Sequence, residues 1–181
     1  MTAIEFPADG IRADGIVLRL PTLDDVALVD RAFGDEDIAG RANLPPWTAA
    51  EVEEFVEVRL RDSVEAGAMI PMVIRSADTD DVLGGASIQN IDRLRSIADV
   101  GYWLLPEARG RGVATRTARA VAEFGFSLGV HRIQAYVNVG NVDSERVLER
   151  VGFTREGVLR SMPRPGRERV DQTLFSLLRG E

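Results

Sequence analysis

The stretch "ARGRGVAT", Ala108–Thr115, has residue types suited to holding an anion. Gly110 and Gly112 lack a Cβ, so the backbone can turn sharply there and approach a ligand closely. A helical pattern follows at once, from about Gly110 to Leu128. Val113, Val121, Phe124 and Leu128 share its apolar face, and Arg116, Arg119 and Glu123 lie opposite as a solvated face. The first N–H groups of a helix have no partner within it and sit at the positive end of its dipole. A phosphate or pyrophosphate suits that position. The stretch matches neither the dinucleotide G-x-G-x-x-G nor the G-x-x-x-x-G-K-[ST] loop. From the residues alone, two readings stand: a phosphate cradle, or a tight structural loop with solubilising arginines.

The remaining chemistry is narrow. The chain has no cysteine and a single histidine, His131, so thiolate nucleophiles, disulfides and Cys- or His-rich metal sites are excluded. His131 opens a strand after Gly129 and reads as structural. Ser144, Val147, Leu148 and Val151 share a helical face, with Ser144 the polar exception near the helix start. Its bland reading is a serine bonded to a nearby carbonyl or cap. Asn141 is placed to cap that helix, and Asn138 ends the preceding strand. Asp99 lies on the strand leading into "GYWLLPE", where a solvated edge carboxylate would be unremarked.

The elements that must hold these groups follow from periodicity and punctuation. Residues 1–15 read as a tail or peripheral strand, and residues 16–181 as one domain. "IVLRLP" is a strand, Thr22 caps a helix through Phe33, and the prolines of "GRANLPPW" make Gly40–Trp47 a loop. Thr48 caps a second helix. Three strands, the long helix, the strand "HRIQAYVN", a short helix and two closing strands complete the order β-α-α-β-β-β-α-β-α-β-β. The expected fold is α/β: a single mixed, mostly antiparallel twisted sheet with helices on both faces. Lys+Arg of 22 against Asp+Glu of 29 gives a net charge of −7. That favours cationic partners such as amines, argues against direct nucleic-acid binding, and also fits plain solubility. With no long apolar run and no cationic leader, the expectation is a cytoplasmic protein without membrane contact.

Arg109, Gly112 and Ala114, in the pattern R-x-x-G-x-A after "GYWLLPEA", resemble the acyl-CoA pyrophosphate loop of the GNAT acetyltransferases. The resemblance continues through "LGVHRIQAYVNVGNVDSERVLERVGF" and "REGVLR". That is similar to the branch acetylating ribosomal-protein N-termini (RimJ/RimL-like), and it covers the chain from Ile16 onward. It implies the GNAT acyl-CoA N-acyltransferase fold, acetyl-CoA as cosubstrate, no metal, and transfer of acetyl to an amine; the branch also allows a homodimer. By the same resemblance, Arg109, Gly110, Arg111, Gly112, Val113, Ala114 and Thr115 would hold the pyrophosphate. Strand amides near Trp103, Leu104 and Leu105 would hold pantetheine and polarise the thioester carbonyl, and Asn138 and Asn141 would approach the CoA arm. Ser144 would protonate or hold the departing thiolate. Many GNAT enzymes use a tyrosine four residues further on, where this chain has Leu148, so that mechanism is absent at this position. Asp99 matches a position often acidic in the family and would accept the amine proton through a water, and Trp47 would lie at the acceptor end. Direct transfer needs no covalent enzyme intermediate, in keeping with the lack of cysteine. Three functions stay open: acetylation of a protein or peptide N-terminus, acetylation of a small amine such as an antibiotic or polyamine, or a non-catalytic acyl-CoA-binding module.

Overall fold

The protein is described by a computed structural model over residues 3–164 and 166–181. One eight-stranded sheet runs in the order β1-β2-β3-β4-β5-β6-β8-β7. Its strands are β1 (Ile11–Ala13), β2 (Ile16–Arg19), β3 (Met69–Ser76), β4 (Val82–Asp92), β5 (Ile97–Leu104), β6 (Arg132–Asn138), β7 (Thr154–Arg164) and β8 (Arg167–Leu178). All pairs are antiparallel except β5 with β6, which is parallel. The expected sheet and mixed α/β class are therefore what the chain forms.

Period-two alternation divides β5 between two cores. Ala98, Val100, Tyr102 and Leu104 join the main core under helix α5 (Val113–Ser127), with Val113, Val121 and Phe124. Trp103 and Leu105 face the other way. They join a smaller core with Leu28 and Ala32 of α1 (Val26–Gly34) and Ile38 of α2 (Glu36–Ala42). Trp103 lies flat on β4: a Cβ added to Gly85 would meet the Trp103 ring at 2.6 Å, so only glycine permits the contact.

Two local expectations are corrected. Gly40–Ala42 belong to α2 rather than to a loop. Asp35 ends the first helix in extended conformation, and its carboxylate restarts a second by accepting from Asp37 N and Ile38 N (2.9 and 3.1 Å). The helix capped by Thr48 is broken as well. α3 (Ala49–Glu54) and α4 (Leu60–Ala66) flank a π-helical turn at Phe55–Arg59. That turn carries Phe55 against Trp47, with ring centroids 5.4 Å apart.

The start of α1 is fixed to the sheet by Asp25, which is 2% exposed. Its carboxylate accepts two bonds from Arg19 (2.7 and 2.9 Å) and one from Thr22 N (2.8 Å). Burial pushes the Asp25 pKa up, but Arg19 and Thr22 outweigh it and hold it below the usual value. Ile4 is buried in the main core. Among the described residues, no helix is long and apolar enough to cross a membrane.

Candidate active site

β5 and β6 pair only at Ile97↔Arg132, Ala98↔Ile133 and Asp99↔Gln134. β5 continues to Leu104 against β4, so beyond Asp99 its other edge is open. The N–H of Leu105 donates to Leu83 O on the β4 side (3.0 Å). By alternation the main chains of Leu104 and Tyr102 turn to the open edge, and the Leu104 carbonyl there accepts from Arg109 Nε (3.3 Å).

At the end of that edge lies a cavity of about 400 Å³, walled by β5, the loop into α5, α2 and α6 (Val142–Val151). Gly110 and Gly112 carry the loop with φ of +70° and +74°, the left-handed region that glycine enters without strain. The first backbone bond of α5 runs from Arg116 N to Gly112 O (3.2 Å). No side chain caps the helix at Gly112 and no acid lies in its first turn. The amides of Val113, Ala114 and Thr115 thus have no partner among the described residues, and all three residues line the cavity.

The side chains around these amides suit an anion. The chain is acidic, yet Arg41, Arg109, Arg146 and Arg150 line the cavity against only two acids, Asp37 and Asp143. Asp37 takes Arg109 on one oxygen and Arg41 on the other, both at 2.7 Å, and these bonds hold its pKa below the usual value. Arg116, expected on a solvated face, instead folds back to give Nη1 to the Arg111 carbonyl (3.2 Å). Its Nε is buried without a partner among the described residues. Unpaired helix amides beside the arginines of the cavity wall are the donor set that a pyrophosphate would satisfy.

α6 completes the wall. Asn141 Oδ1 accepts from Ser144 N (3.4 Å), fulfilling the expected cap. The Ser144 hydroxyl has no hydrogen-bond partner among the described residues, so the bland reading of a back-bonded serine does not apply. Beside it, the Tyr102 hydroxyl donates to Ser144 O (3.4 Å), and burial pushes the phenol up to about 12. Leu148 is fully buried.

The structure brings Trp103, Leu104, Arg109, Gly110, Gly112, Val113, Ala114, Thr115, Asn141 and Ser144 to one cavity. It does not bring five others there. Leu105 is buried in the smaller core, and Arg111 points its side chain outward while its carbonyl holds Arg116. Asn138 donates to Gly40 O (2.9 Å) and Asn43 Oδ1 (3.1 Å), tying β6 to α2 on the face away from α5. Trp47 packs between Phe33 and Phe55 with Arg59 above it at 5.8 Å. Asp99 sits at the last β5–β6 pair, where the two strands part. His131 is exposed at the start of β6.

Sequence reasoning missed Tyr102, the residues of α2, and Asp143, Arg146, Val147 and Arg150 of α6 as parts of the site. Val147 lies three residues after Ser144 and Arg150 three after Val147, i,i+3 steps that could have flagged them. Asp37 has no such signal, because its partner Arg109 is 72 positions away in the chain.

The acetyltransferase (GNAT) domain family matches residues 16–154, and the chain belongs to that family. It is an N-acetyltransferase. It is 27% identical over 168 residues to an uncharacterized N-acetyltransferase, p20, of Bacillus licheniformis, covering 92% of this chain and 94% of that one. Against the ribosomal-protein-serine acetyltransferase of Escherichia coli it is 30% identical over 82 residues, 45% of this chain and 46% of that one. The fold matches a spermidine N-acetyltransferase from Vibrio cholerae, solved with CoA and spermine. That match has a TM-score of 0.78 and 20% identity, covering 91% of this chain and 95% of the other.

Proposed function

We propose that the protein transfers the acetyl group of acetyl-CoA directly to the α-amine of a protein or peptide N-terminus. The observation that carries the donor half is the uncapped start of α5, opening into an arginine-lined cavity continuous with the free edge of β5. The amides of Val113–Thr115, with Arg116 behind them, take the pyrophosphate. The pantetheine arm lies along β5, bonding to the main chain of Leu104 and Tyr102, and a strand amide polarises the thioester carbonyl. Arg109 gives up the Leu104 carbonyl as the arm arrives.

In the reaction the neutral amine nitrogen attacks the thioester carbon, a C–N bond forms and the C–S bond breaks. The amine proton passes through a water to Asp99. The departing thiolate takes a hydrogen bond or proton from the free hydroxyl of Ser144. Burial raises the Asp99 pKa, which makes it a better base, although the bonds from Asn90 and Gln134 oppose that shift.

Protonation favours an α-amine over lysine as acceptor. At pH 7 an α-amine of pKa ~7.8 is roughly a tenth neutral, whereas a lysine of pKa ~10.4 is neutral to only about 0.04%. The similarity to a ribosomal-protein-serine acetyltransferase over part of the chain points the same way.

The test is CoA release from acetyl-CoA with serine- and alanine-initiated peptides, the same peptides blocked at Nα, and spermine. Turnover of the free peptides and none of the blocked ones is expected. Turnover of spermine alone would overturn the acceptor assignment. All 22 cationic side chains of the enzyme are arginines, so no lysine of its own contributes acetylated background.

A further inference from the structure

Asp99 belongs to a chain of polar contacts that crosses five strands on the face away from α5. On one side, Asn90 Nδ2 donates to Asp99 Oδ2 at 2.9 Å. On the other, Gln134 Nε2 donates to Asp99 Oδ1 at 3.4 Å. The Gln134 carbonyl oxygen is held by Arg132, from Nε at 3.3 Å and Nη2 at 3.2 Å. That arrangement fixes which end of the amide faces Asp99. Arg132 is gripped in turn by both oxygens of Glu156 (2.7 and 2.6 Å), and Ser176 Oγ donates to Glu156 Oε1 at 2.7 Å.

Both ends of the chain come from irregular points in the sheet. β4 pairs Gln89 with Asp99 and then Asp92 with Ile97, so Asn90 and Ile91 bulge out, and Asn90 sits at φ +52°. β7 pairs Arg155 with Phe175 and then Gly157 with Leu174, so Glu156 is the extra residue. A bulge re-aims a side chain that regular pairing would send elsewhere. Here two bulges, on strands four positions apart in the sheet order, aim at one polar cluster.

The cluster places a full positive charge one side chain from Asp99. Arg132 reaches the far end of Gln134 and could reach the carboxylate itself if released. A guanidinium paired with Asp99 would stabilise its charged form and weaken it as a base. We propose that Glu156 and Asn90 are positioning residues for Asp99: Glu156 holds Arg132 away, so that Asp99 meets only the neutral amides of Gln134 and Asn90. This rests on the reading of Asp99 as the proton acceptor. The balance of charge agrees, because Arg132 holds Glu156 down to about 2 but is not among the causes acting on Asp99. The charged or titratable groups around Asp99 are Arg132 and Tyr136 on β6 and Glu156 on β7, while β4 presents the neutral Asn90. Burial, and then the Asp99 charge, keep the Tyr136 phenol raised and protonated at neutral pH.

The test is a ¹³C-carboxyl NMR titration of the full chain, with the Asp99 signal assigned by its loss in Asp99→Asn. Single-turnover acetylation of a serine-initiated peptide is measured alongside. Glu156→Gln releases Arg132, so the Asp99 midpoint moves to lower pH and the single-turnover rate falls about tenfold. Adding Arg132→Gln to that variant removes the freed charge and restores both. Asn90→Gly keeps the positive φ, removes one donor and moves the midpoint to higher pH, the opposite sign. Glu156 is an exposed edge-strand residue, and unchanged acetyl-CoA affinity in each variant reports that the fold is kept. An unmoved midpoint in Glu156→Gln overturns the inference, as does a shift that Arg132→Gln does not reverse. If the midpoints move as stated but Asp99→Asn keeps the full rate, the proton-acceptor reading is what fails, and the inference with it.

Discussion

Two helices begin on the same cavity wall, and they begin differently. α6 is closed from within: Asn141 accepts from Ser144 N, and Asp143 and Glu145 lie in its first turn against the positive end of the dipole. α5 is the longer helix and has neither a capping side chain nor a first-turn acid. Its loop is instead held open by two glycines in left-handed conformation and braced from behind by Arg116. A helix start left uncapped costs stability, typically ~1 kcal/mol, unless something outside the chain supplies the acceptors. On the proposed reading, the contrast separates a helix end that serves the fold from one that serves a ligand, although both line the same cavity.

Substitutions at the two starts should differ accordingly. Gly112→Val forces a β-branched residue to φ +74° and pushes against Arg116 Nη1, which lies 3.3 Å from a Cβ at that position. Calorimetric titration is expected to show acetyl-CoA binding weakened more than about 100-fold, ~2.7 kcal/mol. Arg111→Ala is expected to leave it within about threefold, because the loop acts there through backbone. The reverse order would erase the contrast.

Asp99→Asn is expected to lower single-turnover acetylation about 100-fold and to make the protein harder to unfold at pH 7. Burial disfavours the charged carboxylate, so stability is greatest below the unfolded pKa of ~3.9 and is lost as pH rises through the raised folded value. The gain in melting temperature should therefore vanish below about pH 4. A gain that persists there would assign it to something other than the charge.

Ser144→Ala removes a hydroxyl that the fold does not use. A hydrogen bond to a developing thiolate is worth ~1.5–3 kcal/mol, so the rate should fall about tenfold to a hundredfold with acetyl-CoA affinity unchanged. A rate unchanged across pH would remove the residue from the chemistry. The smallest effect is expected at the capped helix: Asn141→Ala should cost ~1 kcal/mol of stability by thermal denaturation and change acetyl-CoA binding little. Loss of binding comparable to Gly112→Val would mean the two helix starts are not distinct in kind.

The glycine turn and helix start of α5 were legible in the sequence because their parts are local. Glycines, helix start and preceding strand lie within about a dozen residues, and period-two alternation along β5 already separates Tyr102 and Leu104 from Trp103 and Leu105. What was not legible depends on chain reversal or on broken register. Asn138 reads as a strand-end amide facing the donor, yet α2 returns to claim it through Gly40 and Asn43. The end of α2, Gly40–Ala42, reads as loop because prolines follow it closely, and the restart by Asp35 outweighs them. Asn90 and Glu156 could not be placed, since a bulge shifts every later side chain relative to its partner strand, and no local pattern announces it.

If the open start of α5 takes a pyrophosphate as proposed, the integrity of the chain comes to depend on a metabolite. Among the described residues, the side-chain ties of that loop run from Arg109 to Asp37 and Leu104 and from Arg116 to Arg111. The peptide bonds after Arg109 and Arg111 are exposed and, in a chain whose cationic side chains are all arginine, are of the type trypsin cuts. A bound pyrophosphate would tether both bonds and slow cleavage there. The survival of the intact polypeptide under protease would then report how much acyl-CoA surrounds it, whether or not an amine is present to be acetylated.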